Sequence, residues 1–175
     1  MTRIQFVKFS LPLVILLFGA SCSSKEVDRV PVNKTLIVST GSNVNQHADV
    51  AYPVVIRLYQ LSSRTEFQAA SFWAIFNTSE SLAGVVIDKR SLSPLYPDEK
   101  RLVAIDLEED TFFLGVFAEF AEYKQQAYSD VVPISADILD EGVTVTVTSS
   151  GVAIKVARKK GLFESITGLF SGGDK

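Results

Sequence analysis

Residues 143–156 read VTVTVTSSGVAIKV and carry the clearest structural pattern in the sequence. Valine alternates strictly with threonine as far as Thr148, so every second side chain is apolar. That period is typical of a half-buried β-strand. Two serines and a glycine then supply a turn, and the alternation resumes at Val152. The stretch predicts a β-hairpin with a single hydrophobic face, which has to lie on a core.

Six further segments carry strand patterns at short spacing. In the second segment, residues 53–61, three aliphatic side chains fall on one face, with Arg57 and Tyr59 on the other. Residues 112–118 are apolar on both faces, so we predict a central strand that is covered on both sides. The six segments are residues 34–40, 53–61, 85–92, 101–107, 111–120 and 128–134.

One segment, directly after the second strand, breaks the alternation. Ser63 and Glu66 have the spacing of a capping box, and apolar residues follow at helical spacing as far as Phe76. The pattern predicts a helix at roughly residues 65–77 that is buried against a sheet face. The segments together predict a mainly β fold, a two-sheet antiparallel β-sandwich of about eight strands with one inserted helix after strand 2.

The N-terminal residues have the pattern of a secretory leader. Arg3 and Lys8 precede an apolar run at residues 11–18, and small residues then lead to Cys22. The run is about half of the roughly 20 residues that a membrane-spanning helix needs, so we predict a cleaved signal peptide over residues 1–21. The small residues before Cys22 resemble a bacterial lipobox, in which the cysteine is acylated and becomes the first residue of the mature chain.

One position departs from the lipobox pattern, because Gly19 stands where the pattern usually has leucine. An ordinary signal peptide that ends at a cysteine therefore stays open as an alternative. Ser23, rather than aspartate, follows Cys22, and by resemblance to sorted lipoproteins this indicates the outer membrane. The polar residues 22–33 predict a flexible, lipidated tether that carries a sandwich domain at residues 34–157.

The residue inventory excludes several kinds of chemistry. The chain of 175 residues has one cysteine, one histidine and a formal net charge of -3. A structural zinc site needs about four nitrogen or sulfur ligands and a disulfide needs two thiols, so the chain forms neither by itself. A mildly acidic balance disfavours nucleic acid as a partner. His47 is the one available triad base and falls in a polar loop, so we predict no enzyme activity, metal, cofactor or small-molecule substrate.

Two segments do not fit a plain sandwich. The loop at residues 41–52 has about 12 residues, whereas hairpin loops usually have 2 to 5, and loops of this length are often functional. The tail at residues 158–175 begins with three basic residues and continues with a short amphipathic stripe. The stripe could pack on the domain, bind a partner or touch the membrane. It consists of Leu162, Phe163, Ile166, Leu169 and Phe170.

In their order along the chain, these features resemble the TssJ (SciN) family, the outer-membrane lipoproteins of type VI secretion systems. The resemblance covers about residues 22–157. Its most specific parts are PVVIRLYQL at 53–61, FQAASFWAIF at 67–76 and LGVFAEFAEY at 114–123. The chain departs from the family at residues 127–129, where members often have a Trp-Arg pair.

The resemblance implies a transthyretin-like sandwich that acyl chains on Cys22 hold at the periplasmic face of the outer membrane. It also implies a non-catalytic function, in which the domain binds the periplasmic domain of the inner-membrane TssM subunit and, through TssM, the TssL subunit. In the family, the loop after the first strand makes this contact. In this sequence the loop corresponds to Asn43, Val44, Asn45, Gln46, His47, Ala48 and Asp49.

The residues alone leave two alternative functions open. One is an envelope hydrolase that uses serine and lysine, for which the sequence has no motif and which the residue inventory disfavours. The other is a binding module. An envelope lipoprotein with this fold can act as a ligand-binding module, or as a pilot or chaperone for another outer-membrane protein. A large apolar cavity inside the sandwich would favour that alternative.

Overall fold

Two four-stranded β-sheets pack face to face in the computed structural model, which describes residues 32–157. The predicted leader at 1–21, Cys22, most of the tether at 22–33 and the tail at 158–175 lie outside the described residues. Within residues 32–157, no helix combines the length and the apolar character needed to cross a membrane.

The strands of the two sheets confirm the predicted sandwich. The first sheet consists of β1 (Val32–Thr40), β4 (Lys100–Leu107), β7 (Val143–Thr148) and β8 (Gly151–Val156), in the spatial order β4-β1-β7-β8. The second sheet consists of β2 (Ile56–Leu61), β3 (Val86–Ser91), β5 (Phe113–Ala118) and β6 (Ser129–Pro133), in the spatial order β3-β2-β5-β6. The hairpin that the valine and threonine alternation predicts is β7 and β8.

One strand pair departs from the predicted antiparallel arrangement. β1 pairs antiparallel with β4 but parallel with β7, where Leu36 lies opposite Val143. The other pairs in the two sheets are antiparallel. A tight turn cannot join parallel strands, and here the chain builds the whole second sheet between β1 and β7. Alternation within a strand carries no information on the direction of its neighbour, so the sequence did not reveal this pairing.

The main core lies between the sheets and is built from alternate residues of each strand. The hairpin contributes five buried side chains: Val143, Val145, Val147, Val152 and Ile154. The second sheet and its flanks contribute Val54, Ile56, Leu58, Leu114 and Val116. Burial of each aliphatic side chain of this size stabilises the fold by about 1.5–3 kcal/mol, so packing between the sheets is the main source of stability.

Three short helices cover the outer face of the second sheet: α1 (Thr65–Ala69), α2 (Phe72–Phe76) and α3 (Glu80–Ala83). They enclose a second apolar cluster, in which Tyr59, Phe67 and Phe117 are fully buried. A Cβ atom at Gly115 would lie only 3.0 Å from the ring of Phe67, so the helices pack directly on β5. This confirms that the central strand is covered on both sides.

The prediction of a single helix at 65–77 is wrong, because the helix breaks at Ala70 and Ser71. Ala70 is extended, and the hydroxyl of Ser71 accepts a hydrogen bond from a backbone amide of α2 and thereby starts a new helix. In one continuous helix, Phe67 and Phe72 would point about 140° apart around the axis. The break lets both aromatic rings face the sheet.

A further helix, α4 (Ala136–Glu141), joins β6 to β7 and was not predicted. Ser135 caps it, since its hydroxyl accepts a hydrogen bond from Ile138 N at 3.3 Å. A helix of six residues is too short to show a helical repeat in the sequence. Its Leu139 is buried in the main core, which holds α4 against the end of the sandwich.

At one side of the sandwich, hydrogen bonds join the edge strand β8 to the edge strand β6 of the other sheet and to the residue Ala127 that precedes it. Asp130 Oδ2 accepts a hydrogen bond from Ile154 N at 2.7 Å, and Ala127 O accepts one from Val152 N at 2.8 Å. These bonds use amides of β8 that would otherwise be open to pairing with another chain. The side of the sandwich is therefore sealed along β8 as far as Ile154.

The directions of the strands show which connections lie at each of the two ends of β1. Val32 lies opposite Leu107, whereas the amide of Thr40 donates to Glu99 O at 2.9 Å. Because β1 has nine residues, these two ends are about 26 Å apart. The connections β1–β2, β3–β4, β5–β6 and β7–β8 all lie at the Thr40 end, which we call the loop end. The chain enters the domain at the opposite end, which we call the entry end.

Candidate partner-binding site

Two buried residues hold the long loop between β1 and β2 against the domain. Val44 is fully buried in the main core, and Asn45 is 8% exposed. Asn45 Nδ2 donates to Pro53 O at 2.9 Å, and Asn45 Oδ1 accepts a hydrogen bond from Ala121 N at 2.8 Å. The side chain of Asn45 therefore ties the start of the loop to its own end and to the β5–β6 connection.

The tip of this loop is a two-residue hairpin. His47 N donates to Val50 O at 2.9 Å, and Val50 N donates to His47 O at 3.0 Å. Ala48 and Asp49, between them, have φ angles of 48° and 63°. Positive φ at both central residues is the mark of a type I′ turn, whose twist matches that of a hairpin. An alanine in this region is strained, so the rest of the loop has to impose the conformation.

A side-chain contact links the tip to the β5–β6 connection. His47 Nδ1 lies 3.0 Å from Glu122 Oε1, and both side chains are exposed. An exposed pair of this kind contributes about 0–1 kcal/mol, so it orients the tip more than it stabilises the fold. Glu122 follows Ala121, the residue that Asn45 holds, so the two contacts act on the same segment.

Exposed apolar side chains surround the tip at the loop end. Val50 and Tyr52 belong to the same loop, and Tyr96 projects from the β3–β4 connection with 64% of its surface exposed. The β3–β4 connection is rigid, because Tyr96 N donates to Glu99 Oε2 at 2.8 Å and Arg101 donates to Glu99 Oε1. Both hydrogen bonds lower the pKa of the Glu99 carboxyl, that from the Tyr96 amide more.

A shallow open cleft of about 360 Å³ lies beside the tip. Its lining is mainly polar and comes from three connections of the loop end: Gln46, Ala48, Asp49, Glu122, Gln125, Gln126 and Ser149. A small-molecule pocket is usually concave and mostly apolar, and this cleft is neither deep nor apolar. A polar rim beside exposed aromatic side chains is the composition of a protein interface.

The structure divides the seven predicted loop residues into two groups. Val44 and Asn45 are buried and hold the loop, so their side chains are not available to a partner. Asn43, Gln46, His47, Ala48 and Asp49 lie at the surface, although Gln46 is half-buried. Cys22, the predicted lipidation site, lies outside the described residues.

Sequence reasoning missed several residues that share this surface. Val50 and Tyr52 were visible as apolar residues in a polar loop, which was a usable signal. Tyr96 and Glu122 come from other connections, and only the pairing of the strands brings them to the loop end. No local pattern could have identified them.

The arrangement offers no catalytic or metal-binding geometry among residues 32–157. His47 contacts one carboxylate, and no nucleophile completes a triad with them in the described contacts. The described residues contain no cluster of three or more histidine, cysteine, aspartate or glutamate side chains that could hold a metal ion. Elsewhere, burial raises the pKa of Tyr59, whose hydroxyl donates to Ile75 O and serves packing.

A sequence profile of the T6SS-SciN family, described as Type VI secretion lipoprotein, VasD, EvfM and TssJ, matches residues 33–157. The chain belongs to the TssJ family of type VI secretion lipoproteins. The match begins and ends with the sandwich that the structure describes, so it covers the whole domain. TssJ proteins are structural lipoproteins of the secretion system and are not enzymes.

Solved structures share the TssJ fold with this chain. TssJ1 from Pseudomonas aeruginosa superposes with a TM-score of 0.63 at 22% identity, over 74% of this chain and 99% of that chain. Serratia marcescens Lip, a membrane-bound component of the type VI secretion system, gives 0.62 at 19% identity, over 70% and 96%.

A third match is a chain from the structure of the T6SS protein TssM C-terminal domain (869–1107) from EAEC. It gives a TM-score of 0.57 at 22% identity, over 73% of this chain and 98% of that chain. Identities this low establish the fold and nothing finer. No curated protein sequence matches the chain.

We predict that Asn45→Ala loosens the loop of this TssJ protein and lowers the free energy of unfolding by about 1–3 kcal/mol, since it leaves Pro53 O and Ala121 N without their partner. Urea unfolding measures the loss, and hydrogen exchange of residues 41–55 measures the loosening. Asn43→Ala, an exposed neighbour, is the matched control and should stay within about 0.5 kcal/mol. Equal behaviour of the two variants would show that Asn45 does not hold the loop.

Proposed function

We propose that this lipoprotein is anchored at the periplasmic face of the outer membrane by acyl chains on Cys22 and that its loop end binds the periplasmic domain of TssM. Through TssM it would connect to TssL and so fasten the membrane complex of the secretion system. The observation that carries this proposal is the position of the long loop that Asn45 holds. It lies at the end of the sandwich opposite the entry of the tether.

The geometry supports an assembly role because the entry of the tether and the proposed binding loop lie at opposite ends of the domain. The tether enters at Val32, and β1 carries the chain about 26 Å to the loop end. A domain held this way presents its loops away from the membrane, towards a partner that crosses the periplasm. The anchor also confines the domain to a thin layer, which raises its effective concentration towards that partner without additional contacts.

The rigidity of the tip supports binding rather than a solvated connection. A mobile loop loses conformational entropy when a partner orders it, and this loss weakens binding. A preformed hairpin has already lost that freedom before binding. The bonds of Asn45 and the contact between His47 and Glu122 hold the tip before any partner arrives. Interfaces also rely on a few aromatic residues in their centre, and Tyr52 and Tyr96 suit that role.

We therefore narrow the proposed contact residues. Asn43, Gln46, His47, Ala48 and Asp49 would face TssM, with Val50, Tyr52 and Tyr96 adding apolar contacts, while Val44 and Asn45 hold the loop from below. The alternative of a ligand-binding module has less support, since the cleft at the tip is open and the pocket beside the core residues Leu58 and Ile105 has only about 140 Å³.

Tyr52→Ala should weaken binding of the TssM periplasmic domain at least about tenfold in Kd, because it removes an aromatic contact from the centre of the proposed interface. Calorimetry on the purified pair measures the affinity. Thermal unfolding of the variant should match that of the unchanged domain, because the side chain is 46% exposed.

The matched control is Phe112→Ala, which truncates an aromatic side chain of comparable exposure, 57% against 46% for Tyr52, at the entry end of the sandwich. It should leave the affinity for TssM unchanged. A loss of binding in Phe112→Ala together with normal binding in Tyr52→Ala would place the interface at the wrong end and overturn the proposal.

Cys22→Ser should release the folded domain from the membrane fraction, since each buried methylene of an acyl chain contributes about 0.8 kcal/mol and two or more chains make attachment effectively permanent. Fractionation of cells followed by immunoblotting measures the distribution. Secretion should stop although the domain still folds. Retention of the variant in the outer membrane would contradict lipid anchoring at Cys22.

A further inference from the structure

An open apolar groove of about 460 Å³ lies at the entry end, between β6, α4 and β8. Its walls are aliphatic, and one carboxylate stands at its rim. The lining residues are Val132, Pro133, Ile138, Glu141, Ile154 and Val156. Val132, Ile138 and Val156 pack on the main core from the outside but are only partly buried, so the core is incompletely covered here.

The groove lies where the seal between the two sheets stops. Ala127 and Asp130 bond to the amides of Val152 and Ile154, and these contacts close the side of the sandwich. Beyond Ile154, no such backbone contact joins β6 to β8 in the described bonds, and the side chains of the two strands face the groove instead. Apolar side chains placed in the groove would extend the main core beyond these hydrogen bonds.

The described part of the chain ends at this groove. Ala157 N donates to Gly142 O at 2.8 Å, directly after the groove residue Val156. The apolar stripe of the tail begins five residues later, at Leu162. Five extended residues span at most about 17 Å, and a helix over 162–170 would be about 13 Å long, so the stripe can reach the groove from where the chain leaves it.

Charge also favours the tail as the occupant. Arg158, Lys159 and Lys160 follow Ala157 directly. Their exit point lies beside the end of α4, which carries Asp137, Asp140 and Glu141, and Asp140 already forms an ion pair with Lys34. Opposite charges at this junction favour a path along α4, and Gly161 then allows the chain to turn before the stripe begins.

We propose that residues 158–175 fold back on the domain and place Leu162, Phe163 and Ile166 in the groove between β6, α4 and β8. The tail then completes the core at the entry end. Because the segment is covalently attached, its effective concentration at the groove reaches the millimolar range, and modest contacts suffice. This proposal is independent of TssM binding, which concerns the loop end.

The test uses the full mature chain, residues 22–175 with Cys22→Ser, in the absence of detergent. Ile166→Asp should accelerate hydrogen exchange of residues 132–138 and 152–157 by about tenfold, because the charge cannot enter an apolar groove. Ser165→Asp adds the same charge outside the stripe and should leave exchange unchanged. Identical exchange in both variants and in the parent chain would overturn the proposal.

A disulfide test reads out the contact directly. In the same chain, which then has no other thiol, Ile138→Cys combined with Phe163→Cys should form an intramolecular disulfide under mild oxidation, visible as a shift on a non-reducing gel. Leu102→Cys combined with Phe163→Cys should not, since Leu102 lies on the outer face of the first sheet. Absence of the first disulfide would also count against the proposal.

The membrane is the competing occupant, because a basic amphipathic segment can bind anionic lipid. Vesicles of phosphatidylethanolamine and phosphatidylglycerol are therefore added to the same chain. If the tail is docked, the protection of the groove is present before vesicles are added. Protection of the tail that arises only with vesicles, and disappears at high salt, would assign it to the lipid surface and overturn the docked arrangement.

Discussion

The position and direction of β1 constrain the rest of the molecule. This strand lies inside the first sheet, paired antiparallel with β4 and parallel with β7, and its Leu36 and Val38 are fully buried in the main core. It cannot shift by one residue without moving those side chains to the solvent face. The same strand therefore sets the distance between Val32, where the chain enters the domain, and the long loop.

The long loop after β1 is also held firmly against the domain. Val44 places an apolar side chain in the core, and Asn45 makes two hydrogen bonds that satisfy backbone groups of its neighbours. Together they explain how a loop of this length avoids disorder and how Ala48 is held at a positive φ. Two of the seven residues that the sequence offered as contact candidates, Val44 and Asn45, are therefore supports of the loop.

The period-two pattern was sufficient to predict most of the fold. It identified the hairpin of β7 and β8, the faces of β2 and the central position of β5. Burial on one face makes apolar residues alternate, and burial on both faces makes them continuous. The break at Ala70, the helix α4 and the parallel pairing of β1 with β7 depend on tertiary packing, which leaves no local trace. Likewise, the burial of Val44 and Asn45 and the presence of Tyr96 at the loop end required the structure, and lipidation of Cys22 stays a prediction.

Binding of TssM at the loop end is best tested by hydrogen exchange of the lipidated protein, with and without the TssM periplasmic domain. Binding at the loop end predicts that the partner protects the backbone at residues 46–52, 94–98 and 121–126 and leaves residues 108–112 at the entry end unchanged. Protection confined to the entry end, with the loop end exchanging as in the free protein, would contradict it.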